Sequence, residues 1–101
     1  MAMLHTVNKS PYEKSALESC LNHVSEGDTV LLIEDGVYAV VKGGRAANAL
    51  ASVKGVKIAA LEADLKARGI GGDKIADGVE VVDYGGFVDL VEANDKTEAW
   101  L

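Results

Sequence analysis

Sulfur, proline, aromatic rings and positive charge are all scarce in this sequence. A single cysteine among 101 residues excludes an internal disulfide framework and suits a reducing compartment. One proline and five aromatic residues leave a core that has to be built from aliphatic side chains. Ten Lys and Arg stand against sixteen Asp and Glu, a net charge of −6, so the field of the whole protein repels phosphate backbones and direct nucleic-acid binding is not expected. No apolar run approaches the 18 residues of a membrane span, and the opening MAMLHTVNKSP holds no long apolar segment of the signal-peptide kind. These absences predict a soluble, cytoplasmic protein without a membrane contact. What is plentiful is hydrophobic residues, at 49%. That suffices for one compact core, and residues 1–101 are read as a single domain with no room for a separate cofactor domain.

Short β-branched runs alternate with segments of helical period, which predicts an α/β domain with a parallel sheet. Strands are expected over Met3 to Val7, Asp28 to Ile33, Val56 to Leu61 and Val79 to Val82. The second is almost wholly apolar, as a central strand covered on both faces would be. Ser10 with Pro11 and Glu13 carries the signature of a helix start, so a first helix is predicted from there to about Ser25, stopping at Gly27. Val37 to Val41 reads as a short helix or turn. Arg45 to Ser52 and Glu62 to Arg68 read as helices, the second capped by Gly69 in a left-handed conformation. A last helix spans Tyr84 to Ala93 with Phe87, Val88, Leu90 and Val91 toward the core.

Covalent sulfur chemistry by this chain has to pass through Cys20. At 100° per residue Cys20 falls near the middle of an apolar arc with Tyr12, Ala16, Leu17, Leu21 and Val24, which predicts a buried core cysteine. Its place in the second half of the helix disfavours a thiolate, which a protonated His23 would offset. A persulfide-carrying Cys20 is the other reading, and it requires that face to meet a partner. His5 lies in the first strand and is read as a satisfied core or edge histidine. With no CxxC or HxxxH pair, no metal site and no cofactor are expected. A Ser/His/Asp triad has no GxSxG elbow to support it. Gly69-Ile70-Gly71-Gly72 follows a helix, so it is helix-end punctuation and not a dinucleotide loop. Glu34 and Asp35 end the second strand, where open α/β sheets bind ligands; Asp35 capping the next helix is the simpler reading, and a receiver-like domain using these acids the more distant one. Trp100 and Leu101 close an acidic tail, EANDKTEAW. An indole there would gain little in water, so Trp100 is expected either to dock on its own domain or, with Leu101, to face another subunit.

Taken together, LHTVNKSP, SEGDTVLLIEDGVYA, LEADLKARG and VDYGGFVDLV followed by Trp100 resemble the DsrH/TusB family of sulfur-relay subunits, in order along nearly the whole chain. The resemblance implies a three-layer α/β/α domain assembling with DsrE/TusD-like and DsrF/TusC-like subunits into a heterohexamer. It further implies passage of persulfide sulfur from a TusA-like donor toward a DsrC/TusE-like acceptor, with the main active-site cysteine on the DsrE/TusD-like subunit. The chain would then be a subunit of a sulfurtransferase complex that is not self-sufficient. A cysteine in the first helix is a DsrH-type trait, which leans the resemblance toward sulfur oxidation with Cys20 as a secondary persulfide carrier. A TusB-like role in tRNA wobble-uridine 2-thiolation and a structural subunit with Cys20 in the core are the alternatives. One thiol cannot close an internal disulfide, so any transfer has to be intermolecular.

Overall fold

Five short strands form one fully parallel sheet in the order β4-β3-β2-β1-β5 in the computed structural model, which describes residues 2–101. The elements are β1 (Met3–Val7), α1 (Ala16–Leu21), β2 (Thr29–Leu32), α2 (Arg45–Ser52), β3 (Lys57–Leu61), α3 (Glu62–Ala67), β4 (Val79–Val82), α4 (Tyr84–Ala93) and β5 (Lys96–Trp100). Short 3-10 turns cover Glu34–Val40 and Gly72–Lys74. From β1 to β4 the chain steps across the sheet in one direction, so right-handed crossovers place α1, α2 and α3 on the same face. The return from β4 to β5 reverses the step and puts α4 on the other.

The core divides accordingly. Val7, Val30, Leu32, Ile58 and Ala60 point to the first face and pack with Leu17, Cys20, Ala46, Leu50 and Leu65. Leu4, Leu31, Ala59, Leu61 and Val82 point to the second, where Leu90 and Phe87 of α4 cover them. This is the three-layer α/β/α arrangement with a parallel sheet that the sequence and the resemblance predicted. β2 is buried at all four positions, which explains its unbroken apolar run. Gly36 shows why the turn after β2 takes glycine: a Cβ there would sit 2.1 Å from the carbonyl oxygen of Val7. Gly69 ends α3 with φ of +69°, the left-handed cap expected of it.

Three expectations are corrected. The first helix does not begin at Ser10: the Ser10 carbonyl accepts from the amides of Glu13 and Lys14 at 3.1 Å, a single turn closes, and α1 starts afresh at Ala16. The break leaves Tyr12 half exposed beneath the Arg45 guanidinium, 5.9 Å from its ring, and not on the core arc. Along α4 only Leu90 is buried and Phe87 partly so, whereas Val88 and Val91 face outward. The acidic tail, finally, is a strand: β5 pairs with β1 from Met3 opposite Lys96 to Val7 opposite Trp100. An edge strand with solvent on one flank needs no apolar run, and KTEAW has none.

Candidate functional site

Strand β1 carries His5 onto the face covered by α1, between β2 and β5. Asp28 precedes β2 on one side, and Trp100 ends β5 on the other. Trp100 Nε1–H donates to His5 Nδ1 at 3.1 Å. An indole nitrogen can only donate, so Nδ1 is unprotonated and the proton of the neutral ring sits on Nε2. That nitrogen lies 2.9 Å from Asp28 Oδ2 and donates to it. The Asp28 carboxylate also accepts the amides of Met3 and Ser25, each at 3.0 Å. Burial alone would raise the pKa of Asp28, but the hydrogen bonds from the Ser25 amide, the His5 ring and the Met3 amide outweigh it and hold the carboxyl below its usual range.

Cys20 belongs to the core cluster against which Trp100 packs, and it has no exposed surface. Burial, reinforced by the Glu98 and Asp28 carboxylates, pushes its thiol up to about 12. The exposed His23 at the end of α1 packs against Trp100 in a tilted arrangement, ring centroids 5.3 Å apart, and its Nδ1–H donates to the Ser19 carbonyl at 2.8 Å. The junction therefore gathers both imidazoles around the indole. Its chemistry is that of a latch. His5 has the carboxylate partner of a triad histidine, yet the nitrogen that would activate a nucleophile is taken by Trp100. The C-terminal indole of Trp100 is half buried against the core of its own domain, while Leu101 is 83% exposed.

The acids after β2 are arranged differently from expectation. Asp35 caps nothing; its Oδ1 accepts from Arg68 Nε at 3.0 Å and lies 2.9 Å from Nη2. Glu34 adopts a left-handed φ of +49°, held by its amide donating to Asp64 Oδ2 at 2.7 Å. With Asp35 neutralised by Arg68, the strand end lacks the open acidic pair that a receiver-like site requires. Asp83 is a helix cap, its Oδ1 accepting the Gly86 amide at 2.8 Å. Among the described residues no three His, Cys, Asp or Glu side chains converge as metal ligands. An open groove of about 750 Å³ runs between α1 and α2 over Leu17, Leu21, Ala46 and Val53, and Cys20 does not line it.

The sequence profile of the DsrH-like proteins matches residues 9–97. The chain belongs to the DsrH/TusB family. Proteins named TusB from Enterobacter sp. and Escherichia coli are 38% and 39% identical to it over 98 residues, covering 97% of this chain and the whole of each relative. Among solved structures the ychN protein of Escherichia coli superposes with a TM-score of 0.80 at 18% identity, covering 98% of both chains. Protein Tm0979 of Thermotoga maritima gives 0.66 at 21%, covering 92% of this chain and 93% of its own. At such identities these two establish the shared fold alone. The sequence identified the DsrH/TusB family and left Cys20 between a core position and a persulfide carrier, of which the structure shows the buried position; it gave no sign of the Asp28–His5–Trp100 chain. No local signal marks it, because 95 positions separate His5 from Trp100 and only the β1–β5 register joins them.

Proposed function

We propose that this DsrH/TusB-family chain is a TusB-like subunit of a sulfur-relay complex serving tRNA wobble-uridine 2-thiolation, in which it supports catalytic partners and does not itself carry sulfur. The end-to-end identity with proteins named TusB carries the reading and favours tRNA thiolation over the sulfur-oxidation branch toward which Cys20 leaned. DsrE/TusD-like and DsrF/TusC-like subunits are its companions in the assembly, a TusA-like protein the donor and a DsrC/TusE-like protein the acceptor. The burial of Cys20 supports the structural role, since exchange needs both access and a thiolate, and a thiol with pKa near 12 supplies neither. The acidity of the chain fits a subunit that leaves RNA contact to other components.

Expression of the chain in Escherichia coli lacking its TusB should restore 2-thiouridine, measured in digested tRNA by mass spectrometry. A folded chain that joins the companion subunits yet restores none would return the assignment to sulfur oxidation. In the same strain Cys20→Ser should leave thiolation intact, while the buried hydroxyl costs about 1–3 kcal/mol of stability. A gain of roughly 32 Da on Cys20 in the intact complex, one persulfide sulfur, would overturn the structural role and make Cys20 a carrier.

A further inference from the structure

Helix α4 is apolar around more of its circumference than the sheet covers. At 100° per residue, Phe87 and Leu90 lie on the side that packs against β1 to β4, while Tyr84, Val88 and Val91, spaced i, i+4 and i+7, form a stripe on the adjoining side. These three are 63%, 54% and 42% exposed. Beyond the stripe, away from Phe87, stand Asp89 and Glu92. The segment from Asp77 to Asp95 holds six acids, including Glu80 and Asp83, and no Lys or Arg. The rest of the chain balances ten acids with ten bases, so the net charge of −6 resides in this segment.

We infer that the outer face of α4 is the apolar centre of an interface with a different protein, one presenting an apolar patch ringed by Lys and Arg. Three contiguous large side chains left in water on one helix face are the pattern of an interaction surface, and an acidic flank selects a basic rim opposite it. The same charge rejects the other occupants. A second copy docked α4 to α4 would oppose Asp89 and Glu92 with their own counterparts, and anionic lipid or nucleic acid would meet like charge. The partner is expected among the companion subunits, so the inference rests on the proposed membership of an assembly.

The test is co-expression of the full chain with its DsrE/TusD-like and DsrF/TusC-like companions. Purified subunits are then titrated by calorimetry, and circular dichroism confirms that each variant is folded. Val88→Lys, and separately Asp89→Lys with Glu92→Lys, should each weaken association by about tenfold or more, and binding of the unmodified chain should weaken as salt rises. A complex that forms with unchanged affinity in both variants overturns the inference while leaving the assembly reading in place. Self-association of the unmodified chain that Val88→Lys abolishes also overturns it, in favour of a homodimer. No association of any form with the companions removes the assembly reading and the inference together.

Discussion

Trp100 Nε1–H reaches His5 Nδ1 only while that nitrogen is unprotonated, and His5 Nε2–H in turn donates to the Asp28 carboxylate, so each of three residues depends on the state of the next. Trp100→Phe keeps the aromatic packing and removes the donor, leaving a buried imidazole nitrogen without its partner. The expected loss is about 1–3 kcal/mol in urea denaturation. Asp28 sets the acid limit. A carboxyl whose pKa is lower folded than unfolded contributes stability that is complete above its unfolded value near 3.8 and is lost as pH falls through the lower folded value. Denaturation midpoints should therefore decline below about pH 4, and Asp28→Asn should flatten that acid limb while lowering stability at neutral pH. At this scale the sequence was informative about Cys20, whose apolar arc announced its burial, and silent about Asp28. A carboxylate at the head of a strand looks like punctuation until three donors are seen to converge on it.

Elements were legible wherever a segment's own chemistry decides its conformation. β2 and β3 declare themselves by their apolar runs, α3 by its glycine stop, and α4 by its length. The α4 start is a local device: Asp83 accepts the Gly86 amide, and Asp83→Ala should cost about 1 kcal/mol in thermal or urea unfolding, with Asp83→Asn recovering most of it. The start of α1 was misread because Ser10, Pro11 and Glu13 do begin a turn, but it closes after one repeat. Packing of Ala16, Leu17 and Cys20 against the sheet sets the helix direction, and that direction does not continue the Pro11 turn. Local propensity nucleates, but burial of the apolar face chooses the axis. Asp35 shows the same limit, since its partner Arg68 comes from beyond α3 and no spacing rule links them.

Across the whole molecule the sheet is completed by a strand that is polar, short and almost entirely exposed. β5 is held by its ladder to β1 and by the indole at its end, which covers the first core with His5 beneath it. Deleting residues 96–101 should abolish cooperative thermal unfolding or lower its midpoint far more than the solvent exposure of KTEAW suggests, because it uncovers Val7 and leaves His5 Nδ1 without its donor. A truncated chain that melts cooperatively at the original temperature would show β5 to be dispensable. By itself the sequence determined the α/β class, the parallel sheet, the aliphatic core and the family, all of which follow from periodicity, composition and ordered motifs along a single line of residues. Only the tertiary structure decided that the tail is a strand, that His5, Asp28 and Trp100 form one hydrogen-bonded chain, and that Tyr84, Val88 and Val91 of α4 remain uncovered. Each of these depends on which distant segments meet, and hydrogen-bond partners and burial are properties of a pair of surfaces that neither segment carries alone.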